Sequence, residues 1–280
     1  MKRWILGLAK KIYLNTPCRP LRGLYFQAFC AIMRNRTVHS SIDGVNYCLD
    51  LSETIDLGLY LNRYEPEVVA AIERFCRPGF TVLDIGANIG AHALRLAKIV
   101  GESGRVYAFE PTNYAYGKLA RNISLNQFKN ILPMQVVLSD QNLSQQRIHF
   151  RSSWPTNGRP VEQESIVDFV KLDDWCNKEH LKQVDLIKLD VDGNEYSVIM
   201  GAKALLASQR PIILMEVWGP NFSDPLKNPF VVLKELGYRF FHIETGKEYG
   251  SIDDLRTVVS LNGKLLDRSF EIVARSQPRG

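Results

Sequence analysis

The chain has 280 residues, of which 45% are hydrophobic and 23% charged, the composition of an ordinary globular protein. This balance excludes wholesale disorder and a collagen-like repeat, and no run of about 20 apolar residues exists that would span a membrane. The five cysteines are widely spread and form no C-x-x-C pair, so they indicate neither a zinc site nor an iron–sulfur cluster. Scattered thiols are typical of a reducing compartment and predict a cytoplasmic protein.

The net charge of +5 is concentrated in the N-terminal arm, which we define as residues 1–36. This arm holds eight Lys or Arg residues and no Asp or Glu, so subtracting its charge leaves −3 for residues 37–280. A protein that binds nucleic acid is expected to carry a basic face on its main body. The sequence therefore predicts no nucleic-acid partner.

The N-terminal arm interleaves apolar and basic residues, and Pro17 and Pro20 divide it into two predicted helices. Lys10 and Lys11 interrupt its apolar run, which argues against a secretory signal. Two interpretations stay open. The arm either packs on the main domain, which we favour, or lies on an anionic membrane surface and makes the protein peripheral at the membrane.

The next predicted elements are a hairpin over residues 37–51, with Asp43-Gly44 as its turn, and a helix over residues 64–79. From residue 81 the chain alternates between strands and helices. The elements of this stretch are strand TVLDIG, helix AHALRLAKIV, strand RVYAFEP, a helix over residues 114–126 and strand ILPMQVVLSD.

The alternation is interrupted between residues 141 and 182, where two strand-like runs, RIHF and SIVDFVKL, flank a turn-rich loop. A short helix, DDWCNKEHL, follows, and we expect Asp173 or Asp174 to cap it. The alternation then resumes. Its elements are strand VDLIKLDV, helix EYSVIMGAKALLAS, strand PIILMEV, helix PFVVLKELG and strands YRFFHI and SFEIVAR.

Continuous apolar strands that alternate with helices predict an α/β fold with a mostly parallel, doubly wound sheet and helices on both faces. We divide the chain into a basic arm with a hairpin, residues 1–50, and an α/β domain, residues 51–280. Ligands of such sheets bind at the carboxyl ends of the strands, so the residues that follow each strand are the candidates for function.

The predicted strand ends carry a coherent set of polar residues around one glycine turn. Asp84 ends the first strand of the alternation, and Gly86 and Gly90 follow it. Glu110 ends the second strand, near the spacing of about 20 residues at which an acid that binds ribose hydroxyls is expected. The later strand ends carry the polar residues Ser139, Asp140, Asp190, Asp192 and Glu216.

The glycine turn lacks the G-x-G-x-x-G spacing of a dinucleotide site, and the chain lacks the Gly-Lys-Ser/Thr of a phosphate-binding loop. Several carboxylates around such a turn suit a ligand that bears a ribose and a positive centre but no phosphate. S-adenosylmethionine is a ligand of this kind.

Five blocks of the sequence resemble the FkbM family of S-adenosylmethionine-dependent methyltransferases in order and spacing: VLDIGANIG, VYAFEPTNYAYGKLARNISLN, VVLSD, LDDW and VDLIKLDVDGNEYSVIMGA. The resemblance extends from about Asp50 to Val217. It implies a Rossmann-like methyltransferase fold and a hydroxyl acceptor on a sugar, a polyketide or another natural product. In one departure, many members have Asp-Val-Glu-Gly where this chain has Asp190-Val191-Asp192-Gly193.

The resemblance also implies which residues bind the cofactor. Residues of the glycine turn would hold the methionine end, Glu110 the ribose, and Asn113 with Ser139-Asp140 would lie near the adenine. The predicted cofactor-binding residues are Asp84, Gly86, Ala87, Asn88, Gly90, Glu110, Pro111, Asn113, Ser139 and Asp140.

Methyl transfer is an in-line displacement at an activated carbon, so the protein mainly aligns donor and acceptor and excludes water. A hydroxyl acceptor benefits from a general base, and Asp190, Asp192 and Glu216 are the candidates because their strand ends face the cofactor sulfur. Lys188 shares a strand face with Asp190, and it either steadies a developing alkoxide or forms an ion pair. The sequence predicts no metal site, although a cation between Asp190 and Asp192 is an alternative.

The sequence therefore predicts an O-methyltransferase that acts on a small-molecule or glycan acceptor. Trp154 and Trp218 are candidates for stacking on a sugar ring, and a core or lid role is the alternative for each. Two other functions stay open: a nicotinamide-dependent oxidoreductase, against which the missing G-x-G-x-x-G argues, and a non-catalytic scaffold that retains the fold. The sequence does not define the acceptor or the oligomeric state.

Overall fold

The computed structural model describes residues 36–156, 161–267 and 269–276. The two helices predicted in the N-terminal arm, and the membrane contact considered for it, lie outside these residues. Among the described residues, no helix combines the length and the apolar character that crossing a bilayer requires.

The chain divides into two compact units, the first formed by the described residues of Met1–Pro66 and Arg151–Glu162, the second by those of Glu67–Phe150 and Gln163–Gly280. In the first unit, β1 (Thr37–Ile42) and β2 (Val45–Asp50) pair antiparallel, which confirms the predicted hairpin. Its turn residues, Asp43 and Gly44, both have positive φ, as a two-residue hairpin turn requires. Helix α1 (Thr54–Tyr60), which follows, was not predicted. The sequence-based division at residue 50 stays a prediction.

Most of the remaining strands and helices belong to the second unit. The strands are β3 (Thr81–Ile85), β4 (Arg105–Phe109), β5 (Ile131–Met134), β6 (Val136–Leu138), β7 (Leu143–Ser153), β8 (Val161–Val170), β9 (Leu186–Leu189), β10 (Ile212–Trp218), β11 (Tyr238–His242), β12 (Glu248–Tyr249), β13 (Ser260–Leu261), β14 (Lys264–Leu265) and β15 (Ser269–Ser276). The helices are α2 (Pro66–Phe75), α3 (Ala93–Val100), α4 (Asn113–Ser124), α5 (Leu172–Lys178), α6 (Glu195–Met200), α7 (Lys203–Gln209), α8 (Pro229–Glu235) and α9 (Ile252–Val258).

Eight strands form one large sheet in the order β12-β11-β15-β10-β9-β3-β4-β5. The five strands β10, β9, β3, β4 and β5 pair parallel with their neighbours in this order. Strand β15 lies between β10 and β11 and is antiparallel to both. Every residue of β9 is buried, which is typical of a parallel strand that is covered on both faces. The structure confirms the predicted α/β class, and the carboxyl ends of β3, β9 and β10 lie side by side.

Two predicted elements are each divided in the structure. The predicted strand ILPMQVVLSD becomes β5, at the edge of the large sheet, and β6, which joins a separate sheet in the order β6-β8-β7. Pro133 lacks a backbone donor, which suits the edge position of β5. The predicted helix EYSVIMGAKALLAS becomes α6 and α7, and Gly201 lies between them. A Cβ atom at Gly201 would lie 1.9 Å from the carbonyl oxygen of Ser139, so this close approach requires glycine.

The predicted cap of α5 is also wrong. The helix starts after Lys171, which makes no side-chain cap. The carboxylate of Asp173 instead accepts hydrogen bonds from the backbone N–H groups of Ala204 and Leu205, at 2.9 and 2.8 Å. Asp173 therefore satisfies free donors in the first turn of α7, a function that no local pattern in the sequence indicates.

Candidate active site

The glycine turn after β3 is packed against the end of β9. Asp84, fully buried, is the fourth residue of β3, and Gly86 follows the strand with φ at 85°. A Cβ atom at Gly86 would lie 1.7 Å from the carbonyl oxygen of Asp190. The backbone N–H groups of Gly86 and Ala87 both donate to the carbonyl of Phe109 at the end of β4. The turn is thereby fixed between the two neighbouring strand ends.

Glu110 joins the end of β4 to the glycine turn. Its Oε1 accepts hydrogen bonds from the N–H and the hydroxyl of Thr112, at 2.9 and 2.5 Å, and its Oε2 accepts one from the N–H of Asn88 at 3.0 Å. Burial raises the pKa of Glu110, although these hydrogen bonds oppose the shift. Since a carboxylate has about four acceptor positions and three are used here, Glu110 retains one position, on Oε2, for a hydroxyl group of a ligand.

Asn88 supplies an observation that favours a cationic ligand in this turn. Its Oδ1 is shielded from solvent and has no hydrogen-bond partner among the described residues. The backbone of Asn88 has φ at 46°, a conformation that asparagine tolerates better than most residues. A buried acceptor without a donor is costly, and the ammonium group of an amino-acid ligand would satisfy it.

Three carboxylates converge beyond the glycine turn. Oxygen atoms of Asp190, Asp192 and Glu216 lie within 4.8 Å of one another, and we call these three residues the acid trio. The Nζ atom of Lys188 donates to Oδ2 of Asp190 at 2.7 Å, and Lys188 is only 3% exposed. The structure therefore brings together all four predicted catalytic residues and places Lys188 in an ion pair.

Glu216 is a member of the acid trio, and its pKa is strongly raised. Burial, and then the charge of Asp190, raise the pKa of Glu216 to about 8, while a hydrogen bond from Ser269 opposes the shift. The Lys188 ammonium compensates the charge of Asp190. The acid trio also offers three oxygen ligands of the kind that Mg²⁺ and Ca²⁺ use, so Glu216 adds a ligand to the cation alternative.

The other predicted cofactor-binding residues differ in their surroundings. Gly90 has φ at 88°, and a Cβ atom there would lie 2.8 Å from Cδ1 of Leu119, so this glycine lets α4 pack closely. Asn113 is exposed, its Oδ1 accepts from Gln135 at 2.7 Å and its N–H donates to Ser165. Their cofactor roles stay predictions.

The remaining members of the predicted set lie at two further loops. Pro111 is partly buried between Glu110 and Thr112, and its carbonyl lies 3.5 Å from the side-chain nitrogen of Gln135. Ser139 follows β6 and donates its hydroxyl to Asp140 at 3.1 Å. The second of these contacts joins two residues predicted near the adenine, Ser139 and Asp140, to each other. The cofactor roles of Pro111, Ser139 and Asp140 stay predictions.

Two buried residues beside the acid trio were missed from the sequence. Glu195 accepts hydrogen bonds from the loop that carries Asp190 and Asp192, and Asn221 donates to Glu195 from the segment after β10. Glu195 belongs to the sequence block DVDGNE, which also carries Asp190 and Asp192, so its position next to these acids could have been predicted. Asn221 gave no signal because its contact with Glu195, 26 residues earlier in the chain, depends on the tertiary fold.

Trp218 flanks the same loop. A Cβ atom at Gly193 would lie 3.1 Å from Cζ3 of the Trp218 ring, so glycine lets the indole lie close to the backbone. The indole N–H donates to Oδ1 of Asp267 at 3.1 Å, which fixes the ring orientation. Trp154 lies in the first unit, where its backbone N–H donates to Glu53.

Comparison with known proteins places this geometry in context. A family model described as the Methyltransferase FkbM domain matches residues 84–240, a range that includes the glycine turn and the acid trio. The 2-O-methyltransferase NoeI of Sinorhizobium fredii is 29% identical over 166 residues, which cover 51% of this chain and 65% of that protein. The ribosomal RNA large subunit methyltransferase E of Xanthomonas oryzae is 31% identical over 88 residues, covering 28% of this chain and 42% of that protein.

The chain thus spans less than two thirds of the length of these relatives. Among solved structures, the methyltransferase FkbM of Methylobacillus flagellatus aligns with a TM-score of 0.44 at 18% identity. That alignment covers 78% of this chain and 53% of the other.

Proposed function

Because the chain belongs to the FkbM methyltransferase family, we propose that it transfers the methyl group of S-adenosylmethionine to a hydroxyl of a sugar, a glycan or a secondary metabolite. The observation that supports this proposal most is the close approach of Gly86 to the carbonyl of Asp190, because it holds the glycine turn next to the acid trio. The similarity to a 2-O-methyltransferase supports an oxygen as the acceptor atom.

The residues of the glycine turn suit this cofactor. The buried Oδ1 of Asn88 would accept a hydrogen bond from the amino group, and the remaining acceptor position of Glu110 would accept one from a ribose hydroxyl. Carboxylates near the sulfonium, among them Asp84, would stabilise its positive charge. When bound, S-adenosylmethionine supplies a methyl group that is already activated for displacement.

Glu216 is the proposed general base. A group that titrates near pH 8 is a stronger base than an ordinary carboxylate, and efficiency is greatest when the pKa lies near the working pH. As the acceptor oxygen takes the methyl group, its proton would pass to a carboxylate oxygen of Glu216. Lys188 holds Asp190 through its ion pair, so Asp190 serves charge and position rather than proton transfer.

Transfer of radioactive methyl groups from labelled S-adenosylmethionine tests this function. The purified protein is incubated with cell fractions that contain glycosides, oligosaccharides, lipids or ribosomal RNA, and the labelled product is identified by mass spectrometry. The proposal expects one methyl group on a hydroxyl of a small molecule or glycan. Labelling of RNA alone, or of no fraction, would contradict it.

One variant expected to be inactive and one expected to be active serve as controls for that assay. Asp84→Asn removes one charge beside the glycine turn and should abolish labelling. Glu164→Gln removes one charge from an exposed ion pair with Arg147 and should leave labelling unchanged. Equal labelling by both variants would place the activity elsewhere or in a contaminant.

A further inference from the structure

Glu195 is a buried carboxylate that the proposed reaction does not use. It has 0% exposure and begins α6, directly after the loop Asp190–Asn194. Its Oε1 accepts hydrogen bonds from the N–H groups of Val191 and Gly193, both at 3.2 Å. Both donors flank Asp192, so Glu195 holds the backbone on either side of this acid. A carboxylate is costly to bury unless its oxygen atoms accept hydrogen bonds, as Oε1 of Glu195 does.

Asn221 connects Glu195 to the other acid-bearing strand. Its Nδ2 atom donates to Oε2 of Glu195 at 2.7 Å, and its Oδ1 accepts from the N–H of Trp218 at 2.8 Å. Asn221 is itself 4% exposed. The amide therefore donates to the first residue of α6, which itself holds the loop after β9, and accepts from the end of β10.

The strand pairing of β9 with β10 does not extend to the loop Asp190–Asn194 and the end of β10. The last paired residues of β9 and β10 are Leu189 and Met215, and the acid trio lies beyond them. Beyond the last pair of the β9–β10 ladder, the hydrogen bonds of Glu195 and Asn221 connect the loop after β9 to the end of β10. It is thus placed to fix the separation between the carboxylates of Asp192 and Glu216.

We propose that Glu195 and Asn221 form a positioning clamp that sets the geometry of the acid trio for methyl transfer. This inference rests on the proposed function for its catalytic part. Neither residue touches the reacting atoms in this assignment. The clamp would act through the backbone of residues 191–193 and of Trp218, so its loss should lower kcat more than the affinity for the cofactor.

Hydrogen-bond polarity gives a sharp test of the pair. In Glu195→Gln, an NH₂ group faces the NH₂ group of Asn221, and flipping the asparagine only moves the conflict to the N–H of Trp218. In Asn221→Asp, two buried carboxylates face each other. The double variant Glu195→Gln/Asn221→Asp restores both bonds, because the carboxylate introduced at position 221 would accept from the new glutamine amide and from Trp218. It also restores the total charge.

We expect Glu195→Gln to lower kcat at saturating cofactor at least about tenfold while the cofactor Kd changes less than about threefold. The double variant should recover kcat to within about threefold of the wild type. Glu53→Gln makes the same chemical change at a buried glutamate of the first unit that accepts hydrogen bonds from Ser153 and Trp154, so it reports the effect of lost stability alone. Asn228→Asp is the control for the charge introduced by Asn221→Asp, because a carboxylate at position 228 would still accept the hydrogen bond that caps α8.

A readout without catalysis separates this inference from the proposed function. In protein labelled with 5-fluorotryptophan, the Trp218 fluorine resonance is assigned with Trp218→Phe. Glu195→Gln should shift or broaden this resonance, and the double variant should return it. A wild type that moves no methyl groups but shows this pattern would refute the function and keep the clamp. An unchanged resonance in Glu195→Gln, or a double variant no closer to the wild type than the single one, would overturn the clamp.

Discussion

The backbone N–H of Asn88 donates to Oε2 of Glu110 at 3.0 Å, so one buried carboxylate ties the turn after β3 to the end of β4. The other oxygen of Glu110 holds Thr112 at the start of α4. The residue predicted to bind the ribose therefore also determines the shape of the turn predicted to bind the methionine end. Changes at Glu110 should affect binding and stability together.

Glu110→Gln should weaken S-adenosylmethionine binding by at least about tenfold, because the glutamine NH₂ must face one of the N–H donors that the carboxylate now satisfies. The free energy of unfolding should fall by about 1–3 kcal/mol. Isothermal titration and chemical unfolding measure the two effects. Glu164→Gln on the exposed surface is the control, and an unchanged Kd in Glu110→Gln would remove Glu110 from the site.

Gly86→Ala should abolish cofactor binding, since its Cβ atom would overlap the carbonyl oxygen of Asp190 at 1.7 Å. Gly237→Ala is a matched control: Gly237 has the same φ of 85°, but a Cβ atom there meets no described atom within 4 Å. Both variants bear the strain of an alanine in left-handed backbone, about 1–2 kcal/mol. Only Gly86→Ala should displace the end of β9, and equal cofactor binding by the two variants would refute this packing argument.

The raised pKa of Glu216, to about 8, predicts a pH dependence of both rate and stability. The rate should rise with pH through an apparent pKa near 8 as the base ionises, and Glu216→Gln should remove this rise. An ordinary glutamate has a pKa of about 4.3. Between this pH and about pH 8, Glu216 is ionised in the unfolded chain but protonated in the folded protein, so folding takes up a proton. The stability contributed by this group is therefore present at low pH and lost as the pH rises.

Unfolding followed at several pH values checks that sign. The stability of Glu216→Gln relative to the wild type should increase from pH 5 to pH 8. A difference that stays flat over this range would show that Glu216 has an ordinary pKa.

Trp218→Ala should raise the KM for a cyclic acceptor without changing the Kd for S-adenosylmethionine, because the indole flanks the Asp192-Gly193 loop rather than the glycine turn. Trp218→Phe should retain part of the stacking surface and show a smaller effect. Steady-state kinetics with the acceptor identified by methyl labelling measure both. A change in cofactor Kd alone would assign Trp218 to the cofactor side.

The parallel strands could be predicted because they are buried on both faces and are therefore short, continuous apolar runs in the sequence, as in β3 and β9. The acid trio was predictable for a related reason, since parallel strands bring their carboxyl ends to one edge. What sequence reasoning missed depends on distant contacts. Asp173 caps α7 rather than its own helix, and Gly201 divides a helix because Ser139 approaches its backbone.

The contact between Gly86 and Asp190 has a consequence for protein engineering. Libraries that aim at new acceptors should leave position 86 untouched, because any larger residue there would displace a carbonyl on the neighbouring strand. Substitutions over Pro225–Lys227, a stretch after β10 that has no buried residues, would by contrast leave the packing of the core intact. Directed evolution there would sample side chains without disturbing the glycine turn, to which we assign the methyl donor.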